Sequence, residues 1–146
     1  MKLRSGMIIF AVLIAGALFV ACSRGGFIGE GEPPLPKVTA DGISVPVSQS
    51  SYCWGSKCAD YADAKTMLQN NNKTAMRPGT AIKIAFKGAE PRELHVTQQT
   101  SDGTFGEVKP EGNSFSAPTE PGIYYYAVSG WWKGGSSSGV FAIEVK

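Results

Sequence analysis

The sequence predicts an all-β, antiparallel β-sandwich with one short helix. From about residue 38 onward, apolar and polar residues alternate with period two in most segments, which is typical of half-buried strands. The 18 glycines and 9 prolines in 146 residues supply frequent turns without reaching a low-complexity composition. The part of the chain that carries the alternation spans roughly 110 residues, the usual size of one sandwich domain.

The first 22 residues have the pattern of a bacterial lipoprotein signal. Lys2 and Arg4 precede an uncharged apolar run from Met7 to Ala21, which is too short for a comfortable bilayer crossing but suits a signal-peptide core. The run ends in Leu18-Phe19-Val20-Ala21-Cys22, which resembles the lipobox of bacterial lipoproteins. That resemblance implies cleavage after residue 21 and lipidation of Cys22.

The charge balance excludes some partners and indicates how the chain would be held at a membrane. The formal charge is +2 and no basic run is present, so nucleic-acid binding has no electrostatic support. Loss of Lys2 and Arg4 with the signal peptide would leave equal numbers of basic and acidic side chains. We therefore expect attachment to the extracytoplasmic face of the cell membrane to depend on the acyl chains on Cys22.

The expected organisation is a signal peptide over residues 1–21, a lipidated cysteine with a tether over 22–37, and a sandwich domain over 38–146. The tether is rich in glycine at first and then contains Pro33, Pro34 and Pro36, with no apolar periodicity. Such a composition predicts a flexible segment that is stiffened toward its end by polyproline geometry.

Alternation and turn signals place the first strands of the domain. Residues 43–47 alternate, and Pro46 favours a position at a sheet edge. In residues 81–87, Ile82, Ile84 and Phe86 share one face and predict a half-buried strand. Residues 94–97 and 104–108 flank Ser101-Asp102-Gly103, which predicts a hairpin.

The rest of the domain contains the expected helix and the last two strands. Residues 60–70 predict the helix, with Asp60 as its N-cap and Ala64 and Leu68 on one face. The last strands are expected over 123–132 and 140–145, with Phe141, Ile143 and Val145 pointing inward. The Gly- and Ser-rich residues 133–139 predict a flexible connecting loop.

Two resemblances follow from residues of the expected sandwich domain. Pro121-Gly122-Ile123-Tyr124 resembles the turn into the penultimate strand of immunoglobulin-like and cupredoxin-like sandwiches, in which a tyrosine closes the corner. The mature chain also resembles a group of small, mostly uncharacterised lipoproteins of Gram-positive bacteria. The segments that carry the second resemblance are Ser51-Tyr52-Cys53-Trp54, Cys58 with Asp60, the PG-x-Y-x-Y run and the closing VFAIEV.

The residue inventory argues against a metal or cofactor. A cupredoxin copper site needs two imidazoles and a thiolate, whereas His95 is the single histidine of the chain. We therefore expect a cupredoxin-like fold to be free of metal, and we assign no cofactor.

Cys53 and Cys58 predict a structural disulfide. An extracytoplasmic location favours oxidation, and Gly55 and Ser56 between the two cysteines permit the tight turn that so short a bridge needs. The C-x4-C spacing differs from the C-x-x-C spacing of thioredoxin-like redox centres, and a zinc site would need two further ligands.

No catalytic residue is assigned. Gly135-Ser136-Ser137-Ser138-Gly139 matches G-x-S-x-G, but a nucleophile elbow needs a helix after the serine, and here a strand is expected. His95 also precedes Ser137, which is the wrong order for the triad of that fold.

The aromatic residues indicate a candidate binding face. Neighbouring residues of a strand point to opposite sides, so one strand cannot bury all of Tyr124-Tyr125-Tyr126 or both of Trp131-Trp132 in one core. We expect Tyr125 and Trp131 to point outward and, with Trp54, to form a recognition surface. The null hypothesis is ordinary packing of these rings against the tether or the loop at residues 53–58.

These observations favour a membrane-anchored, extracytoplasmic and non-catalytic binding module, with an envelope protein or a cell-wall ligand as partner. One alternative is an accessory subunit of a cell-envelope enzyme or sensor. A second alternative is a hydrolase that uses Ser137.

Overall fold

The computed structural model describes residues 31–146, which form one compact unit. The expected signal peptide, Cys22 and most of the expected tether lie outside the described residues. Within residues 31–146, the structure contains no helix of the length and apolar character that a membrane crossing requires.

The described chain folds as an all-β sandwich with one short helix, as the sequence predicts. The helix of residues 31–146, α1, spans Ala64–Leu68. The strands are β1 Lys37–Ala40, β2 Ile43–Val45, β3 Ser48–Trp54, β4 Lys57–Ala59, β5 Thr74–Met76, β6 Ala81–Ala85, β7 Glu93–Thr100, β8 Phe105–Val108, β9 Ser114–Ser116, β10 Gly122–Trp132 and β11 Gly135–Val145.

The strands form two sheets of unequal size. The smaller sheet has four antiparallel strands in the order β2-β1-β6-β9. The larger sheet has seven strands, of which six follow the order β4-β3-β11-β10-β7-β8. The seventh, β5, pairs in parallel with the last residues of β11, beyond the point where β3 leaves that strand.

The main core lies between the two sheets and is rich in aromatic residues. Phe115 of the smaller sheet contacts Tyr126 of the larger one, with ring centroids 5.3 Å apart. Tyr126 in turn stacks on Phe141, its cross-strand neighbour, at 4.9 Å. The buried members of this core are Val38, Ala40, Val45, Ile82, Ile84, Phe86, Val96, Phe115, Ala117, Tyr124, Tyr126, Val128, Phe141, Ile143 and Val145.

A second, smaller cluster lies on the outer face of the seven-stranded sheet. Helix α1 packs Ala64 and Leu68 against Tyr125, Val140 and Ala142 of β10 and β11. The spacing of four between the two helical residues puts them on one face, as the sequence predicts. The helix therefore covers one half of the outer face and leaves the other half open.

Several local predictions are confirmed. Ile82, Ile84 and Phe86 are buried on one face, and residues 93–108 form the expected hairpin. The Tyr124 hydroxyl donates a hydrogen bond of 2.9 Å to the carbonyl of Glu120, which closes the predicted corner. Strand β2 ends before Pro46 and lies at a sheet edge, because proline cannot continue a ladder on both sides.

The predicted start of the helix is wrong by three residues. Asp63, not Asp60, is the N-cap, and its carboxylate accepts hydrogen bonds from the Thr66 amide at 3.1 Å and the Thr66 hydroxyl at 2.7 Å. The carboxylate of Asp60 is instead hydrogen-bonded to Ser51 of the neighbouring strand. Both aspartates satisfy the local rule for an N-cap, and the tertiary contact of Asp60 decides between them.

The predicted flexible loop over residues 133–139 is also wrong. Only Lys133 and Gly134 form the turn, and β11 begins at Gly135, which pairs with Trp132. A side chain at position 135 would collide with the carbonyl of Cys53, and one at position 139 would lie 2.7 Å from Val47 and 2.8 Å from Pro36. The small residues therefore permit close packing in a central strand, rather than flexibility in a loop.

Pro36, which the sequence assigns to the tether, is buried. It contacts the domain over Gly139, and β1 begins at the next residue.

Candidate functional site

The open half of the outer face carries a row of side chains across five strands. The register places Glu93 of β7, Trp131 of β10, Ser136 of β11, Cys53 of β3 and Cys58 of β4 side by side. Residues in one cross-strand row point to the same face of a sheet. The exposed indole of Trp131 and the disulfide therefore lie on the same surface.

This surface contains a groove of about 490 Å³, which we call the Trp131 groove. Its volume falls in the range of small-ligand sites. The lining residues are Ser51, Tyr52, Cys53, Cys58, Ala59, Asp60, Trp131, Ser136 and Ser138.

One wall of the groove is a disulfide-closed hairpin. The predicted disulfide between Cys53 and Cys58 is present, and the two cysteines are direct cross-strand partners in β3 and β4. Gly55 has a φ of 59° in the two-residue turn that joins these strands, a conformation that favours glycine. The bridge holds the short edge strand β4 in place.

The same wall continues into a small polar network. The Ser51 hydroxyl donates a hydrogen bond of 2.8 Å to Asp60 Oδ1 and accepts one of 3.0 Å from the Tyr61 amide. The Tyr61 amide also contacts Asp60 Oδ1 at 3.1 Å. These bonds fix the segment that leaves β4 and hold Asp60 in the lining of the groove.

The floor of the groove carries hydroxyl groups. Ser138 of β11 shares a hydrogen bond of 2.7 Å with Ser129, its partner on β10. Ser136 lies two residues earlier on the same face, opposite Trp131.

Trp131 lies at the opposite side of the groove in contact with a histidine, which is itself paired with a glutamate. The residue is 41% exposed. The His95 ring meets it edge-on with the centroids 5.1 Å apart, and His95 Nε2 lies 2.9 Å from Glu93 Oε1. Contact with His95 on one side orients the indole and leaves much of its surface open to a ligand.

Tyr125, a predicted member of the binding face, is not part of this surface. Its side chain points to the outer face as alternation predicts, but it is only 5% exposed because α1 covers it. Lys73 Nζ also lies 5.7 Å from the centroid of its ring. The expectation of an exposed Tyr125 is therefore wrong.

Trp54, the third predicted member, points away from Trp131. It lies in the adjacent cross-strand row with Gly135 and Trp132, and successive rows point to opposite faces. Its ring contacts Trp132 edge-on at 5.7 Å, and Trp132 meets Phe86 at 4.9 Å. Trp54 thus extends the core at one end of the sandwich, and of the three predicted residues only Trp131 lines the groove.

Ser137 is placed where a nucleophile would have no access to substrate. It is fully buried at 0% exposure inside β11, on the face that points to the core. Its hydroxyl accepts a hydrogen bond of 3.1 Å from Gln49 Nε2, and strand, not helix, follows it. The geometry gives no support to a hydrolase that uses Ser137.

The described residues contain no group of three or more histidine, cysteine, aspartate or glutamate side chains arranged to hold a metal ion. Cys22, the predicted lipidation site, lies outside these residues.

The groove also contains residues that the sequence did not indicate. Ser51, Asp60, Ser136 and Ser138 come from three separate segments and meet only through strand pairing and the path of the chain from β4 to α1. If residues 135–139 had been assigned to a strand, alternation would have predicted that Ser136 and Ser138 share one face and that Ser137 lies on the other.

The fold and the groove together define a β-sandwich domain with an aromatic and hydroxyl-lined groove on one sheet face. Comparisons with protein-family models, with curated proteins and with solved structures find no match to the chain.

Proposed function

We propose that this chain is an extracytoplasmic lipoprotein whose sandwich domain binds a ligand non-catalytically in the Trp131 groove. The observation that carries the proposal is the exposure of Trp131 beside a groove of about 490 Å³, on the half of the sheet that α1 leaves open. A large aromatic side chain with one polar atom is well suited to recognition, because it offers contact area at a low cost in conformational entropy.

The membrane location in this proposal rests on the sequence. The lipobox ending in Cys22 would supply two acyl chains and hence a stable anchor. Replacement Cys22→Ala should abolish incorporation of a palmitate analogue in labelled cells. Equal label on the variant would contradict lipidation at this residue.

Site-specific photo-cross-linking in cells tests the binding function. A benzophenone amino acid replaces Tyr61, an exposed aromatic next to Asp60, or Phe105, an aromatic that is 63% exposed on β8. Phe105 belongs to the row of Tyr125, six residues from Trp131 along the strand direction, roughly 20 Å away. It is therefore a matched control outside the groove.

We expect the probe at position 61 to give a discrete cross-linked product that the probe at position 105 does not give. The additional change Trp131→Ala should remove that product while leaving the amount of folded protein unchanged. The same product from both positions, or a product that survives Trp131→Ala, would overturn the assignment of function to this groove.

A further inference from the structure

The walls of the Trp131 groove combine an apolar surface with an acidic group. The indole of Trp131, the methyl group of Ala59 and the Cys53–Cys58 disulfide are apolar or weakly polar, whereas Asp60 contributes a carboxylate. Both hydrogen bonds that Asp60 receives within residues 31–146 go to Oδ1. Oδ2 is thus available to a ligand.

The charge of the groove is negative and is not compensated by its lining. Among residues 31–146, no lysine or arginine lines the groove, and none of the ion pairs involves Asp60. Glu93 adds a second carboxylate beside Trp131, in contact with His95. Phosphate groups and other anions are therefore unfavourable ligands, and cations are favourable ones.

We propose that the Trp131 groove binds a lysine side chain that a peptide partner presents. This inference rests on the proposed function and specifies its ligand. A lysine side chain has an apolar four-carbon stem and a compact ammonium head. The stem matches the surface of Trp131 and the disulfide, and the ammonium matches the indole face and Asp60 Oδ2.

The open form of the groove favours a side chain on a larger partner. Trp131, Asp60 and both cysteines remain exposed to solvent, whereas small-molecule sites enclose most of their ligand. The hydroxyl of Ser136 in the lining provides a further donor and acceptor for a polar atom of the partner.

Titrations of the purified domain with blocked pentapeptides test the proposal. One peptide carries a central lysine, and a second carries norleucine, which keeps the apolar stem but lacks the ammonium. Choline represents a free quaternary ammonium, and a neutral chitin tetrasaccharide represents a glycan. The readout is the NMR signal of the Trp131 indole N–H, assigned by its loss in Trp131→Ala.

Two pairs of variants test the charge of Asp60 and the ring of Trp131. In each pair, a matched change outside the groove reports the general effect of losing a surface charge or an exposed ring. Asp60→Asn removes the charge and keeps the Oδ1 acceptor for Ser51 and Tyr61, and Asp41→Asn removes the same charge elsewhere. Asp41 has a φ of 47°, which asparagine tolerates well. For the ring, Trp131→Ala is compared with Phe105→Ala, with the backbone amide signals of the groove as readout.

We expect the lysine peptide to bind about tenfold more tightly than the norleucine peptide, choline or the tetrasaccharide. Asp60→Asn should weaken binding of the lysine peptide about fivefold, and Trp131→Ala about tenfold or more. Asp41→Asn and Phe105→Ala should change it less than about twofold. Raising the salt concentration to about 0.5 M should also weaken binding, because the groove is open to solvent.

Equal binding of the lysine and norleucine peptides, or no effect of Asp60→Asn, would overturn the lysine proposal. A saturable response to choline or to the tetrasaccharide alone would overturn it as well, but would leave the binding function intact. Binding of the lysine peptide that persists in Trp131→Ala would contradict both the inference and the placement of the site.

Discussion

Tyr126 shows at the scale of one residue how a polar atom is accommodated in the core. Its ring lies between Phe115 and Phe141, and its hydroxyl donates a hydrogen bond of 2.8 Å to Gln98 Oε1. Burial raises the pKa of Tyr126 well above its usual range, and the nearby Tyr124 adds to the effect. The side chain is thus neutral, and its hydroxyl has a hydrogen-bond acceptor within the fold.

The raised pKa of Tyr126 predicts a loss of stability at alkaline pH. Below pH 10 both folded and unfolded states keep the phenol protonated, whereas above it the unfolded chain ionises first. The free energy of unfolding of the wild type should therefore fall as the pH rises above 10. Tyr126→Phe should flatten this fall by up to about 1.4 kcal/mol per pH unit, measured by urea denaturation from pH 8 to about 11.

At neutral pH, Tyr126→Phe should lower the free energy of unfolding by about 1 kcal/mol, because Gln98 Oε1 loses its donor. Tyr61→Phe is the matched control, since Tyr61 is exposed and its hydrogen bonds within residues 31–146 come from its amide, not its hydroxyl. An identical pH profile for the wild type and Tyr126→Phe would contradict the assignment of the alkaline transition to Tyr126.

At the scale of elements, helix α1 depends on two caps from different parts of the chain. Asp63 accepts the Thr66 amide, and the buried Gln99 of β7 accepts the Lys65 amide at 3.1 Å through its side-chain oxygen. A helix of five residues has too few internal hydrogen bonds to be stable alone. These caps, and the packing of Leu68 in the smaller apolar cluster with Tyr125, hold the helix on the sheet.

Asp63→Ala should therefore lower the free energy of unfolding by about 1 kcal/mol, whereas Asp63→Asn should cost much less. The hydrogen bonds from Thr66 lower the pKa of Asp63, so its contribution is present above pH 4 and is lost as the pH falls below about that value. Urea denaturation at pH 7 and pH 3 measures both effects.

Hydrogen exchange of residues 63–69 distinguishes a local loss of the helix from a general loss of stability. We expect Asp63→Ala to speed exchange in this segment more than in the strands β10 and β11. Equal stability of Asp63→Ala and the wild type at pH 7 would show that packing alone holds the helix.

At the scale of the whole molecule, the disulfide closes the β3–β4 hairpin at the edge of a large sheet that has many other contacts. Strand β3 pairs with the central strand β11, whereas β4 pairs with β3 alone. The loop that the bridge closes contains only a few residues, with a sequence separation of 5. The chain-entropy model assigns about 2 kcal/mol to so short a loop.

Cys53→Ser combined with Cys58→Ser should accordingly lower the free energy of unfolding by about 2 kcal/mol and leave the sandwich folded. Reduction of the wild type with a thiol reagent provides the control and should give the same shift in urea denaturation. Loss of the folded state at 25 °C in the double variant would mean that the hairpin is required for folding of the whole sheet.

The sequence by itself determined which side chains share a strand face. Side-chain direction in a strand alternates with a period of two, which is a local property of the backbone. For that reason Ile82, Ile84 and Phe86, and likewise Phe141, Ile143 and Val145, were correctly predicted to be buried together. The Tyr124 corner and the Cys53–Cys58 bridge were also predictable, because their partners lie within five residues.

Only the tertiary structure decided which outward side chains are covered. Tyr125 and Trp131 lie on the same face of β10, six residues apart, yet α1 packs on the first and leaves the second exposed. Likewise, the composition of residues 135–139 fits a flexible loop. In the structure the same small residues are required in a packed strand, because Cys53 and Pro36 lie too close to leave room for larger side chains. Helix α1, Cys53 and Pro36 lie 57 or more residues away in sequence from the residues that they cover or approach. Local periodicity carries no information at that range.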